Sequence, residues 1–172
     1  DRARKINEYL TDWQAVGFRS HAMHRNLDWI HELNIQYDAS TFDTDPFEPQ
    51  SEGFGTIFPT YISSDEKTGY LELPYTLPQD FTLFILMREK NSNVWKRKVD
   101  WVARHGGMVL MNTHPAYMTM PGRESGLEEY PVEFYLEVLQ YLNKRHEGTF
   151  WHGLPREVAK IFTPALSKSD GN

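Results

Sequence analysis

Apolar residues recur three and four apart at the start of the chain. Ile6, Tyr9, Leu10 and Trp13 share one stripe, which predicts an amphipathic helix over residues 3–14. Gly17 closes that helix, and Val16 to Arg19 read as a short strand. Asn26 is placed to cap a second helix that buries Leu27, Ile30 and Leu33. Gln36 to Ala39 read as the next strand. Residues 40–69 hold Pro46, Pro49, Gly53, Gly55 and Pro59 with little periodicity, and read as one long irregular region of the kind that often carries function.

The second half alternates more clearly. Tyr70 to Leu73 form a strand that stops at Pro74. Val94, Trp95, Val99 and Val102 mark a helix that ends at Gly106 and Gly107. The uninterrupted apolar run from Met108 to Met111 is the pattern of a strand buried on both faces. Pro131 suits the first position of a helix whose face includes Phe134, Val138, Leu139 and Leu142. Phe150 and Trp151 suggest a last short strand, Pro155 opens a final helix, and residues 167–172 read as a flexible tail. Repeated strand–helix alternation predicts a single α/β domain with mostly parallel strands. A complete eightfold barrel takes roughly 250 residues, so this chain supplies only part of one.

Composition narrows the classes. Of 172 residues, 40% are hydrophobic and 24% charged, enough for a core and unlike a disordered tail. The net charge of −6 argues against nucleic acid, because phosphates require clustered Lys and Arg. The basic run Lys96-Arg97-Lys98 has Glu89 and Asp100 nearby and reads as a solvated helix face. Without cysteine, disulfides and thiolate metal sites are excluded. No run approaches the roughly 18 apolar residues of a membrane span. The chain starts without Met inside a helical pattern, which reads as an interior position of a longer chain. Its compartment, cytoplasm or cell envelope, therefore stays open.

Catalytic side chains in parallel α/β folds gather where strands end. Arg19, Asp80 and His114 occupy such positions. His114 follows the apolar run, and a rigidly mounted imidazole suits general acid–base work. The alternative is a histidine that satisfies a loop carbonyl. Asp80 either orients that histidine, as a carboxylate does in a triad, or caps the turn before Phe81. Arg19 either clamps a carboxylate or makes a structural ion pair.

Other polar groups carry weaker signals. His21 and His24 are three apart but lie in loop-like sequence. Asp43 and Asp45 read as a turn, and His31 and His105 as solvated residues on or beside helices. His152 is a candidate pocket residue, and the exposed-looking Tyr61, Tyr75 and Tyr117 are candidates for stacking on sugars. There is no Gly-rich phosphate loop, Gly-x-Ser-x-Gly elbow or His-Glu-x-x-His segment.

Taken in order, these pieces resemble the polysaccharide deacetylases of carbohydrate esterase family 4 (the NodB homology domain). Ile6-Asn-Glu-Tyr-Leu followed by Val16-Gly-Phe-Arg-Ser20 is similar to the helix leading to that family's Gly-Phe-Arg-(Ser/Ala)-Pro motif. Asn34-Ile-Gln-Tyr-Asp38-Ala-Ser resembles its next strand. Tyr70-Leu-Glu-Leu-Pro74 and Leu110-Met-Asn-Thr-His114-Pro resemble later strand motifs, and Trp151-His-Gly-Leu-Pro-Arg-Glu-Val-Ala159 its closing helix. The likeness spans roughly residues 3–162, and the ordered set is far more specific than any one motif.

The resemblance implies the C-terminal part of a distorted (β/α) barrel of the glycoside hydrolase/deacetylase type. It implies hydrolysis of N-acetyl groups on amino sugars of a glycan. In the complete family domain a divalent metal, usually zinc, activates the attacking water. By match of motif, His114 protonates the departing amine, Arg19 orients the catalytic carboxylate and Asp80 tunes His114. Leu110, Tyr75, Tyr117 and His152 become the candidate substrate contacts.

Two departures stand out. His21 occupies the motif's proline position. The family's Thr-Phe-Asp-Asp and His-x-x-x-His motifs, which carry base and metal, precede its arginine motif, and the eighteen residues before Arg19 do not contain them. The expectation is a chain with no metal of its own that cannot catalyse alone. A non-catalytic carbohydrate-binding remnant and a structural α/β domain are the competing readings. Unpaired strand edges in a partial barrel also predict self-association as a homodimer.

Overall fold

Helical spacing at both ends of the chain and short β-branched or aromatic stretches between them produce a mixed α/β fold. The structure, a computed structural model, describes residues 1–20, 26–44, 53–64 and 67–166. It divides into two compact units, one comprising Asp1–Pro74 with the segment from Gly153 onward, the other Tyr75–His152.

In the first unit, α1 (Arg2–Asp12) leads to β1 (Gly17–Phe18), the single-turn α2 (Leu27–Ile30), β2 (Tyr37–Asp38), β3 (Thr60–Ser64) and β4 (Lys67–Glu72). The strands form one sheet in the order β1-β2-β4-β3, parallel across the first two pairings and antiparallel between β4 and β3. Gly17 pairs with Tyr37, whose ring lies where a methyl on Gly17 would stand, so this close approach requires glycine. The last helix, α5 (Pro155–Leu166), begins at its proline as expected and packs on β2, β3 and β4. Ile30, Phe42, Tyr70, Leu71, Leu73 and Ala159 are among the buried residues of this first unit.

Several expectations change here. Residues 40–69 are not wholly irregular, because β3 and the start of β4 pair within them. Thr60-Tyr-Ile-Ser-Ser is an edge strand that pairs antiparallel with the strand directly following it, Ser64 opposite Lys67, but its residues lack the polar–apolar alternation that would mark it. The sheet is accordingly mixed. Among the described residues neither sheet closes into a barrel. On α1 only Leu10 is buried, while Tyr9 and Trp13 stack on each other at 5.3 Å and remain exposed. His31 is not simply solvated: its ring meets Tyr70 edge-on at 5.1 Å, and its Nδ1 is buried with no hydrogen-bond partner among the described residues.

The second unit holds α3 (Asn93–His105), β5 (Met118–Thr119), β6 (Tyr130–Pro131) and α4 (Glu133–Arg145), with a π-helical segment at Phe81–Leu86. The stripe on α3 is buried as its spacing predicts, and Gly106 ends the helix with φ of 76°. Trp95, Val99 and Val138 join Leu77, Leu83, Phe84 and Tyr130 in one core. The Trp95 indole also donates to Pro78 O at 2.6 Å, so its polar edge is satisfied inside.

Here too the sequence misleads in places. Met108–Met111 is not a strand and is only half-buried. The Thr76 hydroxyl donates to Met108 O at 2.8 Å and accepts the Leu110 N–H at 3.0 Å, while Thr76 and Leu77 N–H reach Leu110 O. A side chain thus replaces part of a backbone ladder. Pro131 lies in β6 rather than opening α4, whose cap is Val132. Phe150 and Trp151 are exposed and form no strand. Among the described residues no helix is long and apolar enough to cross a membrane.

Candidate functional site

The segment that leaves Pro74 carries Gln79 and Asp80 into the start of the π-helical turn. Phe81 N–H points back at the Asp80 carboxylate and donates to Oδ1 at 2.8 Å. The cap reading of Asp80 therefore holds, and the same carboxylate does more. Its Oδ1 lies 2.7 Å from His114 Nδ1, and its Oδ2 accepts His114 N–H at 2.6 Å. Tyr130 O–H donates to Oδ2 at 3.1 Å. Asp80 is fully buried, so its charge is compensated by four donors rather than by water.

His114 is gripped twice by one side chain, through ring and backbone, which fixes its rotamer. Its partner assigns the proton to Nδ1 and leaves Nε2 with no hydrogen-bonding neighbour among the described residues. The side chain is 36% exposed, so that nitrogen can meet solvent or substrate. Pro115 opens a 3-10 turn immediately after it and brings the Tyr117 ring to 5.3 Å from the imidazole. Tyr117 in turn packs on Phe81 at 5.5 Å. Behind them, Asn112 donates to the buried Gln79 side chain at 3.3 Å.

Tyr130 was not legible as a site residue. The short parallel pairing of β5 with β6, Met118 opposite Tyr130, sets its position. Burial first, then the Asp80 charge and the hydrogen bond to it, raise the Tyr130 phenol well above the usual tyrosine range. It stays protonated and acts as a donor. No spacing relates residue 130 to residue 80, so the sequence offers no signal for this contact.

The structure thus brings Asp80 and His114 together. Arg19 belongs to the first unit, exposed at the C-terminal end of β1, where the next residue, Ser20, donates its N–H to Ser40 Oγ at 2.7 Å. Among the proposed substrate contacts, Tyr117 sits against His114 and His152 is an exposed loop residue. Leu110 is half-buried and tied through its backbone to Thr76 and Leu77. Tyr75 is buried, not exposed, and offers no open face for a sugar. Tyr61 is half-buried, and its hydroxyl accepts Gly69 N–H at 2.9 Å.

His105 caps its own helix, with Nδ1 2.7 Å from Trp101 O. Asp43 accepts Thr44 N–H at 2.6 Å, in keeping with a turn, whereas His21, His24 and Asp45 lie outside the described residues. Among the described residues no three His, Asp or Glu side chains gather to hold a metal ion.

An aspartate that orients an imidazole through Nδ1 and leaves Nε2 accessible is competent for proton transfer. It offsets the positive charge that the ring takes up when both nitrogens are protonated. No family model, no curated protein and no solved structure matches the chain.

Proposed function

We propose that this chain carries the proton-donating part of a polysaccharide deacetylase site, on a fold related to the C-terminal part of a (β/α) barrel. The Asp80–His114 pair carries the reading. When an N-acetyl group is hydrolysed, the departing amine must take a proton as the C–N bond breaks. A ring held at Nδ1 and open at Nε2 is suited to deliver it. The buried Asp80 charge stabilises the imidazolium that donates, and Tyr117 gives the adjoining surface an aromatic face for a sugar ring.

In this reading Arg19 orients the carboxylate that accepts the water's proton. In the complete family domain a bound divalent metal would activate that water. The described residues do not form a site for it, so no step is assigned to a metal in this chain. The substrate class is an acetylated amino-sugar glycan.

The test is metal content together with acetate release from an acetylated chito-oligosaccharide. It compares this chain with one extended at its N-terminus by the Thr-Phe-Asp-Asp and His-x-x-x-His motifs. Metal and activity are expected in the extended protein only. There, His114→Ala should lower kcat by about 10²–10⁴-fold, the usual contribution of a general acid, with metal content unchanged. Activity in the shorter chain overturns the assignment of roles. Inactivity in both, with glycan binding retained, favours a carbohydrate-binding module.

A further inference from the structure

Tyr130 belongs to the apolar core of the second unit and yet sends its one polar atom to the proposed site. The residue is 2% exposed, and its ring packs on Phe84 at 4.5 Å and stacks on Phe134 at 6.4 Å. A phenylalanine would fill such a place with no hydroxyl to satisfy, and a buried hydroxyl is costly unless it finds a partner. Among the described residues that partner is Asp80.

Two elements seat the ring. Phe84 lies on the π-helical segment that begins at Asp80, so the element that presents the carboxylate also packs the tyrosine. Val132 N–H donates to Thr119 O at 3.0 Å and extends the β5–β6 pairing that places residue 130.

Asp80 does not depend on Tyr130 to keep its place. Phe81 N–H, His114 N–H and the His114 ring reach it at 2.8, 2.6 and 2.7 Å, whereas the phenol is the most distant donor at 3.1 Å. What a fourth donor changes is the charge. A carboxylate shares its charge between both oxygens, so a proton held against Oδ2 leaves Oδ1 a weaker acceptor for the ring. Burial and the neighbouring charge of Asp80 keep the phenol protonated, so it stays a donor.

We infer that Tyr130 is a positioning residue that acts on His114 through Asp80: it draws the carboxylate charge toward Oδ2 and limits the hold of Oδ1 on the ring. The inference rests on the reading of His114 as the proton donor. An imidazolium gripped too firmly by its aspartate releases a proton from Nε2 less readily, so the phenol favours donation.

The ring nitrogens of His114 test this in the chain itself, without metal or substrate. NMR correlates them with the carbon-bound ring protons, which do not exchange with water. With the ring neutral, a stronger bond to Asp80 moves the Nδ1 signal downfield. Tyr130→Phe is expected to move it downfield of the parent. Tyr130→3-fluorotyrosine, whose phenol is the better donor, is expected to move it upfield. A purely structural role produces no such order, and the fluorinated variant decides the direction if the phenylalanine variant does not fold. Equal positions or the reverse order overturn the inference.

In the extended protein, Tyr130→Phe should lower kcat by up to about tenfold, the worth of one hydrogen bond, with KM unchanged. A kcat equal to the parent's overturns the inference as well. An extended protein that is inactive before any substitution counts against the deacetylase reading instead, and the nitrogen signals still decide the role of Tyr130.

Discussion

In the second unit an aspartate, a histidine and a tyrosine come together twice. Asp80, His114 and Tyr130 meet at the start of the π-helical turn, and Asp100, Tyr141 and His146 meet between α3 and α4. The distribution of water is reversed between them. Asp80 has a side-chain exposure of 0% and His114 of 36%, whereas Asp100 has 31% and His146 16%.

The first cluster hides the carboxylate and opens the imidazole; the second opens the carboxylate and covers the imidazole. In the second, Tyr141 shares its hydroxyl proton between both Asp100 oxygens at 2.9 and 2.8 Å. His146 Nε2 lies 3.0 Å from Oδ1. With Lys96 and Ser92 both on Glu137, the result is a tie between two helices. A buried charge acts strongly on its one neighbour because little water screens it, and a half-wet charge does not. Residue types alone therefore do not distinguish a reactive cluster from a clamp.

The largest expected contrast is in stability. Asp80→Ala leaves buried donors on Phe81, His114 and Tyr130 without an acceptor, and should cost about 3–5 kcal/mol, as when a buried charged network loses one partner. Asp100→Ala should cost less than about 1 kcal/mol, because its partners can turn to water. Urea unfolding with equal m-values checks both, and equal losses would remove the distinction.

A chemical contrast comes next. In the extended protein, His146→Ala should leave acetate release within about twofold, against the large loss at His114, in line with the small reach of a solvated surface pair. Comparable losses at the two histidines would sink the assignment.

Single hydroxyls should show a smaller version of the same order. Tyr130→Phe removes one hydrogen bond from a buried carboxylate and is expected to cost about 1–2 kcal/mol. Tyr141→Phe should cost about 0.5 kcal/mol.

The smallest effect concerns pH. Partial burial pulls the Asp100 carboxyl upward, but the Tyr141 hydroxyl and His146 outweigh it and hold Asp100 below its ordinary value. A lowered folded pKa gives stability that is present above the unfolded value and is lost as pH falls through the folded one. Amide protection at the C-terminal end of α4 should therefore weaken on acidification in the parent and not in Asp100→Asn.

Legibility in the sequence followed the range of the forces involved. The stripe Val94, Trp95, Val99, Val102 and the glycine that stops α3 are local signals, and the helix forms within a residue of expectation. Pro155 opens α5 for the same reason. The 108–111 run fails as a strand because the Thr76 hydroxyl, rather than a backbone ladder, takes up Met108 O and the Leu110 N–H. β3 went unseen although its partner β4 follows directly, because Thr60-Tyr-Ile-Ser-Ser lacks the alternation of a half-buried strand. Asp80 and His114 could be named as candidates from strand-end position, but His114 reads equally well as a partner of a loop carbonyl and Asp80 reads better as a cap. Only their 2.7 Å approach joins them.

What the sequence by itself determined is a mixed α/β chain, its main helices, and the residue types available for proton transfer. These follow from periodicity and capping, which act within a turn or two of the chain. The tertiary structure decided which acid meets which histidine, that Tyr130 completes one cluster, and that Asp38 stands beside Glu72. Those are contacts between residues 34 to 50 positions apart. Their energies depend on how much water the surrounding fold removes, and no local pattern of residues encodes that.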